Sequence, residues 1–308
     1  MISLLFITND RSQHIDKSPY YLSKELEKIT NLTVWHKPGN LHDILTQLST
    51  PPDFILLYDL DIMTAPLISG IKDVTIPFGL MVEDPHKNTG GRGKFIMDNN
   101  IQYLFPVVRD SFVRKYPALE DKMYWFPHHV YTDVFKDYQL PKTIDYLLVG
   151  KIDRLYPLRQ KILSTMQNEP GFTYYKHPGY RTFTPADEKR RVVGENYARI
   201  INQAKIFFTC DSILKYPIKK YFEVPACRTL LMAPTSKEIE DLGFVPGKHF
   251  VDINEDNFFE KAKYYLTHEE ERQKITDAGY EFIKEHHSTK ARAEFLVKKM
   301  EEIIEKQK

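Results

Sequence analysis

The feature that most constrains this chain is an alternation of short, apolar runs with longer segments whose apolar residues recur every three or four positions. Residues 2–7, 31–35, 53–58, 74–82, 101–107 and 123–126 read as strands in the first part of the chain. Residues 144–150, 172–175, 205–210, 230–233 and 249–251 do so in the second. Between them, Leu22, Leu26 and Ile29 share one helical face, as do Leu41, Ile44, Leu45 and Leu48. The spacing predicts helices over 20–29, 41–48, 157–166, 195–202, 236–242, 257–266, 269–284 and 289–308. A strand that is apolar on both faces belongs in a parallel sheet covered by helices on both sides. The fold class is therefore α/β.

A length of 308 residues suits two domains, each large enough to bury its own core. The spacing of the elements puts the first at 1–140 and the second at 141–288, with a last helix at 289–308. Residues 141–142, Pro and Lys, are the hinge. The formal net charge of +1 gives no electrostatic footprint for bulk nucleic-acid binding. Cys210 and Cys227 are the only cysteines, and their spacing makes neither a metal site nor a disulfide framework. Residues 2–7 are too short and lack the basic lead of a signal peptide. No apolar run approaches the roughly 20 residues that span a bilayer. A cytoplasmic location is expected.

Several polar groups fall at strand ends, where open α/β sheets bind ligands. No Gly-x-Gly-x-x-Gly follows the first strand, so a dinucleotide site of that kind is not expected there. Asp84 and His86 follow the strand ending at Val82, and one or the other is the candidate catalytic base. The other role of Asp84-Pro85 is to start a turn. Residues 87–94 hold three of the 13 glycines within four positions, flanked by cations, and predict a mobile loop over an anionic or sugar ligand. Asp59 and Asp61 have metal-ligand letters but read as strand-end punctuation, and no metal site is assigned. In the second half, Gly150 follows an apolar strand and precedes Lys151, Arg154 and a helix. A glycine there lets backbone approach a phosphate, and the helix start favours an anion. Lys220 and Glu223 stand at i and i+3 before the apolar run 230–233. A cation and a carboxylate on one face suit a ligand with diphosphate at one end and a diol at the other, although the same spacing also makes a surface ion pair.

The stretch Lys220-x-Phe222-Glu223-x-Pro225-Ala226-Cys227, followed by a strand and the acidic segment 237–243, resembles the CgeB-like glycosyltransferases, which are group-1 glycosyltransferases of GT-B fold. The resemblance runs from about residue 144 to 296. It includes strand, Gly150, polar turn and Tyr156-Pro157-x-Arg159, and it continues through 247–251, 264–266, Glu269 to Arg272 and Ala278-Gly279. It implies two Rossmann-like domains facing a cleft, with the last helix packed back on the first. It implies a nucleotide diphosphate sugar, by family habit a UDP-sugar, as donor, with no cofactor and no bound metal. The donor site it implies comprises Gly150, Lys151, Arg154, His177, Tyr197, Thr209, Ser212, Lys220, Tyr221 and Glu223. Two positions depart from the family pattern. Lys215 stands where many retaining members have a second glutamate, and Arg228 stands where a glycine is usual. The sequence thus leaves open whether the anomeric configuration is retained or inverted.

The expected activity is hexosyl transfer from a nucleotide sugar to an acceptor hydroxyl. The acceptor is open among glycan, small molecule, protein and modified nucleic-acid base. Two other classes fit the same residues: a two-lobed nucleotide or sugar binder without catalysis, and a GT-B-like nucleotide-sugar epimerase.

Overall fold

The computed structural model describes residues 1–307, and Lys308, the last residue of the expected helix, lies outside the described residues. The chain divides into two compact units. The first comprises residues 1–12, 16–127 and the C-terminal helix. The second comprises residues 13–15 and 128–288.

In the first unit, strands β1 (Ser3–Ile7), β2 (Asn31–Trp35), β4 (Phe54–Tyr58), β6 (Phe78–Val82) and β7 (Tyr103–Pro106) form one parallel sheet in the order β2-β1-β4-β6-β7. Two-residue strands β3 (Gly39–Asn40) and β5 (Ile68–Ser69) pair beside it. Helices α1 (Ser18–Ile29), α2 (Leu41–Thr46), α3 (Thr89–Asp98) and α4 (Arg109–Lys115) connect the strands. Strand side chains alternate between faces, and the core divides accordingly. Leu5, Ile7, Ile55, Leu57, Leu80 and Val82 pack with Leu41, Ile44, Ile96 and Phe112. Leu4, Phe6, Phe54, Leu56 and Met81 pack with Leu22 and Leu26 of α1 and with Leu296, Met300 and Ile303. Those last three lie on the C-terminal helix, Thr289–Gln307, which covers this face. Gly79 lies mid-strand because a Cβ there would come within 2.8 Å of Phe105 and 2.9 Å of Phe54.

The second unit repeats the plan. Strands β8 (Ile144–Gly150), β9 (Phe172–Lys176), β10 (Ala204–Phe208), β11 (Leu230–Ala233) and β12 (Val251–Asp252) form a parallel sheet in the order β12-β11-β10-β8-β9. Its helices are α5 (Pro157–Met166), α6 (Pro185–Arg190), α7 (Gly194–Asn202), α8 (Lys220–Ala226), α9 (Lys237–Asp241), α10 (Phe258–Thr267) and α11 (Glu269–His286), and the C-terminal helix is α12. Leu147, Val149, Phe207 and Leu231 face α7 and α8. Tyr146, Leu148, Ile206, Phe208 and Met232 face α5 and α10. Both halves are Rossmann-like α/β units. No helix is long and apolar enough to cross a membrane among the described residues.

Three expectations about elements need correcting. The glycine-dense segment 87–94 is not a loop: α3 begins at Thr89 and runs through all three glycines. Arg92 explains why, since its buried guanidinium pairs with Asp59 at 2.6 Å and anchors the first helical turns. Residues 123–126 are not a strand, although Tyr124 and Phe126 donate backbone bonds to Leu104 and Pro106 beside β7. The apolar run 74–82 is strand only from Phe78. The short helix α6 has no apolar stripe to reveal it. It stands on its cap, where Thr184 Oγ1 accepts from the Asp187 N–H.

Candidate active site

In both sheets the strand order reverses beside the first strand, and the crevice outside the strand C-termini at such a point is where α/β folds hold ligands. In the second unit that point lies between β8 and β10, which pair directly. β8 ends at Gly150, whose φ of 145° is a conformation that L side chains rarely adopt. A Cβ at this position would stand 2.7 Å from Nη1 of Arg159.

Arg159 is the centre of this site, and the expected donor set omitted it. It lies in the first turn of α5, on the same buried side as Leu158, Ile162 and Met166. Its guanidinium is 3.9 Å from the ring centroid of Tyr156. Nη2 donates to Thr209 Oγ1 at 3.3 Å, and Nη1 donates to the Lys151 carbonyl at 3.4 Å. Nε is buried with no hydrogen-bond partner. No carboxylate pairs with Arg159 among the described residues. A buried, unneutralised guanidinium is costly unless an anion completes it.

Other cations converge on it. Lys220 opens α8, with Nζ 6.0 Å from the centroid of Tyr197. Burial and then the positive charge of Arg159 pull the Lys220 ammonium down to about 8, against the opposing pull of Glu223. Lys151 is exposed, with Nζ 5.7 Å from the Tyr180 centroid. His177 is brought down to about 4 by burial and then by Lys220, Lys151 and Arg159. It is neutral at pH 7. Its Nδ1 accepts from the Gly179 N–H at 3.0 Å, which leaves the ring proton on Nε2. Glu223, half-buried, accepts from Tyr197 Oη at 3.4 Å. Burial, and then the charge of Glu223, raise the Tyr197 phenol, so it remains a donor.

Of the expected donor residues, Gly150, Lys151, His177, Tyr197, Lys220 and Glu223 form this group. Thr209 is fully buried and supports Arg159 from beneath. Tyr221 is also fully buried, and its hydroxyl donates to the Pro234 carbonyl at 2.6 Å, so it belongs to the core under α8. Ser212 holds a left-handed turn, φ 63°, its Oγ accepting from the Leu214 N–H. Arg154 is exposed and has no hydrogen bond or ion pair among the described residues.

In the first unit, Asp84 and His86 follow β6. His86 Nδ1 is 3.9 Å from Asp84 Oδ1, and Lys87 Nζ is 2.7 Å from Asp84 Oδ2. Arg92 Nη1 donates to the Asp84 carbonyl at 2.7 Å and fixes the turn. Burial lowers His86, outweighing Asp84, and the ring is a neutral proton acceptor at pH 7. Asp59 is committed to Arg92, as strand-end punctuation would be. A pocket of about 310 Å³, lined by Asp10, Arg11, Tyr20, Lys24 and His36, opens beyond β1. Its residues are spread over three elements, and no run of sequence marks it.

Residues 146–298 match a family model described as glycosyl transferase-like. No curated protein matches the chain by sequence. Among solved structures, a sucrose-phosphate synthase from Thermosynechococcus elongatus superposes with a TM-score of 0.70 at 9% identity, covering 98% of this chain and 99% of its own. A glycosyltransferase from Rickettsia africae gives 0.63 at 11%, covering 98% of each chain. The Anabaena protein Alr3699/HepE in complex with UDP-glucose gives 0.63 at 9%, covering 98% of this chain and 100% of its own. At these identities the likeness is one of fold. The chain thus has the α/β fold of GT-B glycosyltransferase structures, and residues 146–298 carry its match to the glycosyl transferase-like family.

Proposed function

We propose that this protein is a glycosyltransferase that moves a sugar from a nucleotide diphosphate sugar to an acceptor hydroxyl. The observation that carries the reading is Arg159, a buried guanidinium with, among the described residues, an unpartnered Nε and no carboxylate, joined at one strand end by Lys220 and Lys151. Such a cluster stabilises negative charge as a diphosphate leaves. In this reading Arg159, Lys220 and Lys151 neutralise the leaving diphosphate, with Gly150 giving it backbone access. His177 donates from Nε2, and Glu223 accepts from the ribose hydroxyls. Asp84 and His86 deprotonate the acceptor. The cations take the place of a metal, so chelators leave the rate unchanged. UDP is the favoured nucleotide because a structure of the same fold holds UDP-glucose.

Calorimetric titration with UDP, ADP and GDP tests this. One of them binds in the micromolar range, about −8 kcal/mol, and Arg159→Ala and Glu223→Ala each weaken it. Equal binding to wild type and variants would remove the site. Incubating UDP-sugars with and without candidate acceptors then separates transfer from isomerisation, because an epimerase changes the sugar without forming a glycosylated product.

A further inference from the structure

We infer that the acceptor is amphipathic: a hydroxyl-bearing head joined to an apolar alkyl or aryl body. This rests on the glycosyl transfer reading above. The segment after β4 exposes three large apolar side chains within six residues, Ile62, Met63 and Leu67, each more than 60% accessible. Isolated apolar residues on a surface are ordinary, but a cluster on a built edge marks contact with something apolar. This edge is built. The Asp61 carbonyl accepts from the Thr64 and Ala65 N–H groups, and its Oδ1 accepts from the Met63 N–H. Asn9 Nδ2 donates to the Ile62 carbonyl, the Asn9 N–H donates to Thr64, and the Gly39 N–H donates to Leu67. Thr64 and Ala65 point inward and are buried. The backbone is therefore fixed with Ile62, Met63 and Leu67 turned outward.

The same segment is linked to the candidate base through Lys87. Lys87 Nζ lies 3.9 Å from Asp61 Oδ2 and 2.7 Å from Asp84 Oδ2, and Asp84 neighbours His86. One ion cluster thus joins the apolar edge to the groups that take the acceptor proton. The solvent-accessible charges of this cluster are mixed, Asp61 and Asp84 against Lys87. That balance lacks the cationic surplus that holds a protein on an anionic bilayer, and it favours a single amphipathic molecule.

The test compares n-octyl β-D-glucopyranoside, below its micelle concentration, with methyl β-D-glucopyranoside, by calorimetry on the full chain. UDP binding is measured alongside. The octyl glycoside binds with one-to-one saturation and about tenfold or more tighter than the methyl glycoside. In the triple variant I62S/M63S/L67S that preference disappears while UDP binding and thermal unfolding are unchanged. Equal binding of the two glycosides, or a preference that survives in the variant, overturns the amphipathic acceptor and leaves the glycosyl transfer reading intact. Failure of wild type to bind any of UDP, ADP and GDP overturns both. Co-sedimentation with phosphatidylcholine vesicles that the variant abolishes, without saturable octyl glucoside binding, assigns the edge to a bilayer and overturns the proposal.

Discussion

Nη1 of Arg159 occupies the space into which a side chain at Gly150 would project, 2.7 Å from the Cβ position. The two residues form one device: the strand ends without a side chain so that a buried guanidinium reaches the strand end. Gly150→Ala displaces that guanidinium and strains a backbone at φ 145°. The variant is expected to fold with a loss of about 1–3 kcal/mol and to bind the nucleotide at least about tenfold more weakly. Urea unfolding and calorimetry check the two parts separately.

Arg159→Lys separates charge from geometry. Lysine keeps a cation but loses the planar fork that reaches Thr209 and the Lys151 carbonyl while stacking on Tyr156. Nucleotide affinity is expected to fall by about tenfold, close to the loss in Arg159→Ala. Wild-type affinity in Arg159→Lys would reduce the guanidinium to a point charge.

Lys220 sets a pH dependence. Its ammonium titrates near 8, below the ordinary lysine value. Raising the pH from 7 to 9 therefore discharges it and weakens nucleotide binding. Lys220→Arg stays charged and holds its affinity through pH 9, and Lys220→Ala is weak at both. The stability effect has the opposite sign. The unfolded chain binds this proton up to a higher pH than the folded chain does, so the Lys220 contribution to stability rises between about pH 8 and the ordinary lysine range. Thermal unfolding of wild type against Lys220→Met across that window reads it directly.

The Asp59–Arg92 pair is buried at both ends. Removing only the cation leaves a carboxylate in a low-dielectric environment that already raises Asp59 by burial. Arg92→Ala is expected to cost about 3–5 kcal/mol. Asp59→Asn with Arg92→Met is expected to cost less than either single change, because no charge is then stranded. Urea denaturation of the three variants decides this. If the single changes cost nothing, α3 does not depend on the pair.

How far the sequence carries this fold and site depends on which physical signal each residue leaves. The strand runs of both sheets were legible because burial on both faces excludes polar side chains, and Phe54–Tyr58 is buried at every position. Segment 87–94 hides its helix because glycine content reports local flexibility, whereas the Asp59–Arg92 bond that makes it helical joins residues 33 positions apart. Arg159 lies within the Tyr156-Pro157-x-Arg159 pattern, and a cation on the apolar stripe of Leu158, Ile162 and Met166 is its visible mark. Arg154, nearer the glycine in sequence, is the more conspicuous cation but is exposed. Tyr221 enters the expected site through the family resemblance, beside Lys220. Yet adjacent helical residues diverge by about 100°, and its side chain points to the core.

The candidate base is tested by separating chemistry from binding. Burial holds His86 neutral, and Asp84 lies 3.9 Å from its Nδ1. With an acceptor in hand, Asp84→Asn and His86→Ala are expected to lower the transfer rate by about 10²–10⁴-fold. Nucleotide binding, which the proposal assigns to the second unit, is expected to stay at the wild-type value. Because burial lowers His86 below its ordinary value, the rate falls at a lower pH than an ordinary histidine would give, where the ring takes up a proton. In Asp84→Asn the raising effect of that carboxylate is gone, so the acid limb of the rate profile shifts to lower pH. A profile that does not move would take the proton-accepting role away from His86 and leave Asp84 to account for the rate loss by itself.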